Sequence, residues 1–182
     1  MAEIKPFSPV KFICGIISSQ ELFFKTSEDL LVKMFGSIDL ESPFFDFTFT
    51  DYYESQMGKN LKRKFVSFEQ LSLPEKLSEM KLQTNTLEER IRREFNVNFR
   101  AVNLDPGYLN SSSLVIATAK DFSHRIPLQL GIYAHLELLF TKTGCKTLDW
   151  TYPDFRTEGY QKFFLEVRKI YLSQLKIVKG KS

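Results

Sequence analysis

A chain of 182 residues, 43% hydrophobic, is long enough for one domain with its own core, and its formal net charge of +3 does not by itself call for a nucleic-acid partner. That charge is uneven: residues 1–58 carry four lysines against nine carboxylates, and the basic excess lies beyond them. Two cysteines, Cys14 and Cys145, are too few for a disulfide framework, and neither sits in a CxxC pair of the kind that holds zinc.

The opening MAEIKPF lacks the charged and apolar regions of a secretory signal, and no apolar run approaches the ~18 residues that span a bilayer. A reduced, soluble, cytoplasmic protein without a membrane partner is expected. The first element is "PVKFICGIISS" (Pro9 to Ser19), a short apolar run of buried-strand type in which Cys14 is a small hydrophobe. Ser18 or Ser19 is placed to cap a helix from about Gln20. Its apolar stripe is Phe23, Phe24, Leu30, Leu31, Met34 and Phe35, and Gly36 ends it. In "FFDFTFT" the alternation puts Phe45, Phe47 and Phe49 on one face of a strand. "LKRKFVSFEQL" reads as another strand. In "SLPE" Ser72 and Glu75 form a capping box for a helix with Leu77, Met80, Thr84, Leu87, Ile91 and Phe95 on its dry side. Glu88–Arg92 and Glu89–Arg93 pair on the wet one. "FRAVNL" then returns as a strand.

Strand, helix, strand, strand, helix, strand is the order of a ferredoxin-like βαββαβ core. After it, "SLVIAT", "GIYAHLELLF" and a short strand near Lys146 to Trp150 extend an antiparallel sheet. Tyr160, Phe164, Val167, Tyr171 and Leu175 make the stripe of a C-terminal amphipathic helix. No repeat or linker divides the chain, so the expectation is a single α+β domain over residues 1–182.

A P-loop needs GxxxxGK[ST] so that backbone N–H groups cradle phosphates, and the chain never offers it. "TAKD" (Thr118 to Asp121) has the letters of a guanine-specificity motif in the wrong order. HExxH, GxSxG and GxGxxG are also missing. "LDPGY" reads first as a strand ending in a tight turn; its functional reading puts Asp105 at a strand end as a base or metal ligand. "AKDFSHRI" supplies Lys120, His124 and Arg125, which suit a phosphate or carboxylate: Arg by its planar fork, Lys as a point charge, His as a proton donor. The other histidine, His135, shares a strand face with Tyr133 and Glu137, and all three read as solvated; a metal site from the two histidines has no specific spacing behind it. "DWTYPDF" concentrates Trp150, Tyr152 and Phe155, too much apolar surface to leave in water, so this loop should fold back over the sheet with Trp150 buried.

The blocks "FTDYYESQMG", "LKRKFVSFEQL", "KLQTNTLEER", "VNLDPGYL", "ATAKDFSHRI", "GIYAHLELLF" and "WTYPDF" together resemble a bacterial family, the domain of unknown function 4416. The resemblance runs from about Pro9 to Tyr171. Its members often carry the label "GTP-binding protein", which no motif in this sequence supports, and the resemblance implies a bacterial cytoplasmic protein without assigning catalytic residues.

The first reading of function is a site, binding or enzymatic, for a small anionic or phosphorylated ligand such as a nucleotide. Arg125 and Lys120 hold the anion, His124 and Asp105 do the proton chemistry, and Tyr52, Tyr53 and Trp150 wall the pocket. The second is a nucleic-acid or protein interaction module using the basic stretch Lys59–Lys64 with its neighbouring aromatics. It ranks below the first because the acidic N-terminal third leaves no continuous basic face.

Overall fold

The computed structural model describes residues 3–180. The elements run β1 (Val10–Ser18), α1 (Glu21–Phe35), β2 (Ile38–Glu41), β3 (Phe45–Asp46), α2 (Glu54–Met57), β4 (Lys62–Ser72), α3 (Leu77–Glu94), β5 (Asn103–Leu109), β6 (Ser113–Thr118), β7 (Ile126–Pro127), β8 (Tyr133–Phe140), β9 (Cys145–Thr147) and α4 (Glu158–Gly180). The strands form one sheet in the order β2-β4-β1-β5-β6-β8-β7, with β3 beside β4 and β9 beside β8. Every pair in it is antiparallel. The protein is thus a mixed α and β structure with a large antiparallel sheet and four helices. No helix of the described residues is long and apolar enough to cross a membrane.

β1 is buried at all nine positions because it is central and covered on both faces. Phe12, Cys14 and Ile16 face α1 and α3, meeting Phe24, Leu31, Met80 and Leu87. Ile13 faces the other way, toward Phe164 and Val167 of α4. This alternation makes three layers, with α1 and α3 below the sheet and α4 above it. The α4 stripe of Tyr160, Phe164, Val167 and Tyr171 is buried, and Leu175 packs partly against it.

Several local expectations need correction. The first helix begins at Glu21 with Gln20 at its cap, and no side chain caps it. "FFDFTFT" is not a strand beyond Phe45–Asp46: one more bond, from the Phe47 N–H to the Leu61 carbonyl at 2.9 Å, ends the pairing, and Phe47 packs against Ile17, Met57 and Leu61 while Phe49 is exposed. The strand that pairs with β4 over a longer stretch is β2, whose "IDLE" is too short and acidic to show periodicity. Ser72 and Glu75 form no capping box; Pro74–Lys76 make a 3-10 turn and α3 starts at Leu77 without a side-chain cap. Finally, "LDPGY" holds no turn. Asp105, Pro106 and Gly107 lie inside β5.

Candidate functional site

β5 pairs with β6 only over Gly107–Leu109. Beyond that the strands part, because β5 follows β1 down to Asn103 while β6 follows β8 out to Thr118. The fork between them opens on a cavity of about 540 Å³, a size typical of small-molecule sites.

Helix α3 occupies the backbone groups that the fork leaves bare. The N–H of Leu104 donates to Glu88 Oε1 at 2.7 Å, and Lys81 Nζ donates to the Leu104 carbonyl at 2.8 Å. Pro106 lies two residues on and shares that orientation, so its missing N–H falls in the fork and breaks no ladder. Gly107 stands where pairing resumes, and a Cβ there would sit 2.5 Å from the Val115 carbonyl oxygen. The turn-forming letters of "DPG" therefore serve a strand that loses and regains a partner.

The charges of the cavity come from strands, from α3 and from the segments between elements. Arg63 on β4 reaches over β1, donating from Nη2 to Asp105 Oδ2 at 2.9 Å and forming a second ion pair with Asp154. β1 presents Gly15 opposite Asp105, and a Cβ there would stand 3.0 Å from the Phe65 ring. Arg63 is buried, with its guanidinium 4.7 Å from the centre of the Phe47 ring. Burial works against its charge, but Asp154 and Asp105 raise its pKa above the ordinary value. Burial pushes the Asp154 carboxyl up, with Arg63 opposing. Arg100 is held by Glu88 at 2.7 Å and by Asn103 Oδ1 at 2.6 Å. Burial raises the Glu88 carboxyl, and Arg100 opposes that rise.

Lys81 and Lys120 differ from these two arginines. Both line the cavity, and among the described residues neither has a carboxylate partner. Lys81 is buried with only the Leu104 carbonyl on its ammonium. Lys120 is exposed at the end of β6 and rests 3.8 Å from the centre of the Tyr52 ring. The Lys120 ammonium beside it holds the Tyr52 phenol below the ordinary tyrosine range.

Of the residues singled out in the sequence, Asp105, Lys120, Tyr52 and Tyr53 line this cavity. Burial raises the Tyr53 phenol. Arg125 stands one layer behind, donating to the Tyr152 hydroxyl at 2.7 Å and to His135 Nδ1 at 3.3 Å; Tyr152 and His135 themselves form wall. His124 and Trp150 lie farther out, their rings stacked at 5.0 Å and 8°. His124 Nε2 is 3.2 Å from His135 Nδ1, so it reaches the cavity only through that ring. Trp150 is 38% exposed, contrary to the burial expected of it. Its indole N–H donates to the Leu136 carbonyl at 2.8 Å and the loop does dock on β8, but Phe155 is the ring that enters the core.

His135 and Glu137 are buried rather than solvated, at 1% and 0% exposure. His135 Nε2 lies 2.9 Å from Glu137 Oε2, without the alignment of a hydrogen bond. Among the described residues no three groups of His, Cys, Asp or Glu are placed to hold a metal ion. The basic stretch divides: Lys59 and Lys62 are exposed, Arg63 turns inward, and Lys64 is held by Glu28 and Glu41, each at 2.6 Å. Arg63, Lys81, Arg100 and Asp154 were not legible as site residues, since only the fold shows which strand face and helix turn meet at the fork. The one available signal was the place of Arg63 in "LKRKF", two residues from Leu61 and from Phe65 and so on their face of the strand.

The model of a family described as Domain of unknown function (DUF4416) matches residues 8–171, and the chain belongs to that family. No curated protein and no solved structure matches the chain.

Proposed function

We propose that this member of the DUF4416 family binds a small anionic ligand, phosphorylated and nucleotide-like, in the fork between β5 and β6. The observation that carries the reading is the pair Lys81 and Lys120, two cations without a carboxylate partner in one cavity. Lys81 is buried without a counter-ion, which is costly unless something supplies one, and an anionic ligand held between it and Lys120 does. Phe47, Phe49, Tyr52 and Tyr152 give the same cavity aromatic walls for a flat ring. Asp105 is the carboxylate placed to accept a hydrogen bond from the ligand, or a proton if the ligand reacts.

The fold of this reading is a ferredoxin-like unit of β1, α1, β2, β4, α3 and β5, with β6 to β9 and α4 added within one domain. The order β2-β4-β1-β5 supports it, as does the common core that α1 and α3 share on one face. In such a unit the site lies where the added strands separate from the core strands.

A thermal-shift series with inorganic phosphate, sugar phosphates and nucleoside phosphates tests the reading, since a ligand of the native state raises Tm. Wild type should gain stability with a phosphorylated probe, and Lys81→Met and Lys120→Met should each lose most of that gain. A wild type indifferent to every probe, or a gain unchanged in both variants, overturns it.

A further inference from the structure

We infer that the cavity is matched to a single phosphoryl group on a hydroxylated body, that is, a phosphate monoester of the pentose phosphate or nucleoside monophosphate class, and not to a polyphosphate. This rests on the anion-binding reading above and adds the ligand's charge and its second functional group.

The charge follows from which cations are already engaged. Arg63 is shared by Asp105 and Asp154, and Arg100 is held by Glu88. That leaves Lys81 and Lys120, two positive charges. A phosphate monoester carries about −1.5 to −2 at neutral pH, which these two ammonium groups balance. Each further phosphoryl group would bring charge that no other uncommitted cation of the wall meets, in a space where Asp105 already supplies a negative one.

The second group follows from how Asp105 and Asp154 differ. Asp154 is buried, with one oxygen on Arg63 and the other accepting the Phe155 N–H at 3.1 Å. Asp105 gives only Oδ2 to Arg63; its side chain is 22% exposed, and Oδ1 takes no hydrogen bond from the described residues. An ionised carboxylate oxygen at a cavity wall accepts hydrogen bonds and offers none. It therefore repels a phosphoryl oxygen and favours a hydroxyl. One ligand that satisfies the two lysines and Asp105 at once carries a phosphate and a hydroxyl donor on the same small frame.

The test is calorimetric titration of the full chain with ribose 5-phosphate, adenosine monophosphate, adenosine triphosphate and propyl phosphate, the last having a phosphate but no hydroxyl. At least one of the two hydroxylated monophosphates should bind about ten-fold or more tighter than both the triphosphate and propyl phosphate, the scale of one charge-assisted hydrogen bond. In Asp105→Asn, which keeps the shape of the side chain, that advantage over propyl phosphate should shrink to within a few-fold while propyl phosphate binds as well as before or better. A triphosphate that binds tightest, or a propyl phosphate equal to the sugar phosphates in wild type, overturns this inference and leaves the anion site standing. Failure of all four to bind removes the anion site and this inference with it.

Discussion

Arg63 and Asp154 form a buried ion pair that ties the start of β4 to the loop entering α4, and Asp105 takes the other arm of the same guanidinium at 2.9 Å. One cation thus serves two carboxylates beneath the cavity. Replacing it with methionine keeps much of the volume but leaves both acids facing each other. Removal of one partner from a buried pair costs about 3–5 kcal/mol, and urea unfolding of Arg63→Met should show a loss of that order. Arg63→Lys should recover only part, because an ammonium lacks the planar fork that reaches both acids. A loss of only a few tenths would show the network to be structurally idle.

The elevated Asp154 carboxyl has a definite consequence with pH. Its folded pKa lies above the unfolded one, so between the two values the folded state holds more proton than the unfolded. The penalty is therefore absent below the unfolded pKa near 3.9 and grows as pH rises through the folded value. Unfolding free energies measured from pH 4 upward should fall for wild type relative to Asp154→Asn, which has no proton to lose. A difference that rises with pH, or stays flat, contradicts the assignment.

Glu88 should behave as a piece of backbone scaffolding. Glu88→Ala strips the acceptor from the Leu104 N–H and frees Arg100, with a cost of about 1–3 kcal/mol for the orphaned groups. Glu88→Gln keeps an acceptor and should lose less. Amide hydrogen exchange at Leu104 is the direct readout: fast in the alanine variant, slower in the glutamine variant. Equal exchange in all three proteins would mean that the contact does not protect the strand.

Trp150 is the chain's only tryptophan, and His124 lies flat against it. Burial, with His135 and Arg125 beside it, lowers the His124 pKa from 6.5. A protonated imidazole quenches a stacked indole more than a neutral one, so emission should drop as pH falls, with a midpoint below 6.5. The transition should vanish in His124→Gln. Persistence of the same curve in that variant would place the quencher elsewhere.

What the sequence made legible was whatever repeats along one element. The α3 stripe of Leu77, Met80, Thr84, Leu87 and Ile91 is buried, and so is the α4 stripe of Tyr160, Phe164, Val167 and Tyr171, because 3.6-residue spacing is a local property. β1 announced itself by an apolar run interrupted only by Lys11 before its closing serine. The errors fall where a partner outside the segment decides. Phe45, Phe47 and Phe49 alternate like a strand, yet pairing stops once the Phe47 N–H has reached the Leu61 carbonyl, and the Phe47 ring packs on Ile17 and Met57, which the local pattern does not contain. Glu88 sits at helical spacing for Arg92 but answers to Arg100 and Leu104 across a loop. For the cavity, Asp105, Lys120, Tyr52 and Tyr53 could be named from loop chemistry. Lys81 could not: on a helical wheel it is one more solvated lysine, and only the parting of two strands 23 residues away gives it a carbonyl to hold.

That parting creates something a continuous sheet avoids, a pair of strand edges facing each other inside the molecule. A bare edge is a template for any extended peptide, including a neighbour's unfolded segment. Here one edge is blunted three times in succession: the Leu104 N–H is taken by Glu88, its carbonyl by Lys81, and Pro106 has no N–H to give. Along this edge the opening therefore presents side chains and charges, while the main-chain groups that a strand would pair with are already engaged or missing.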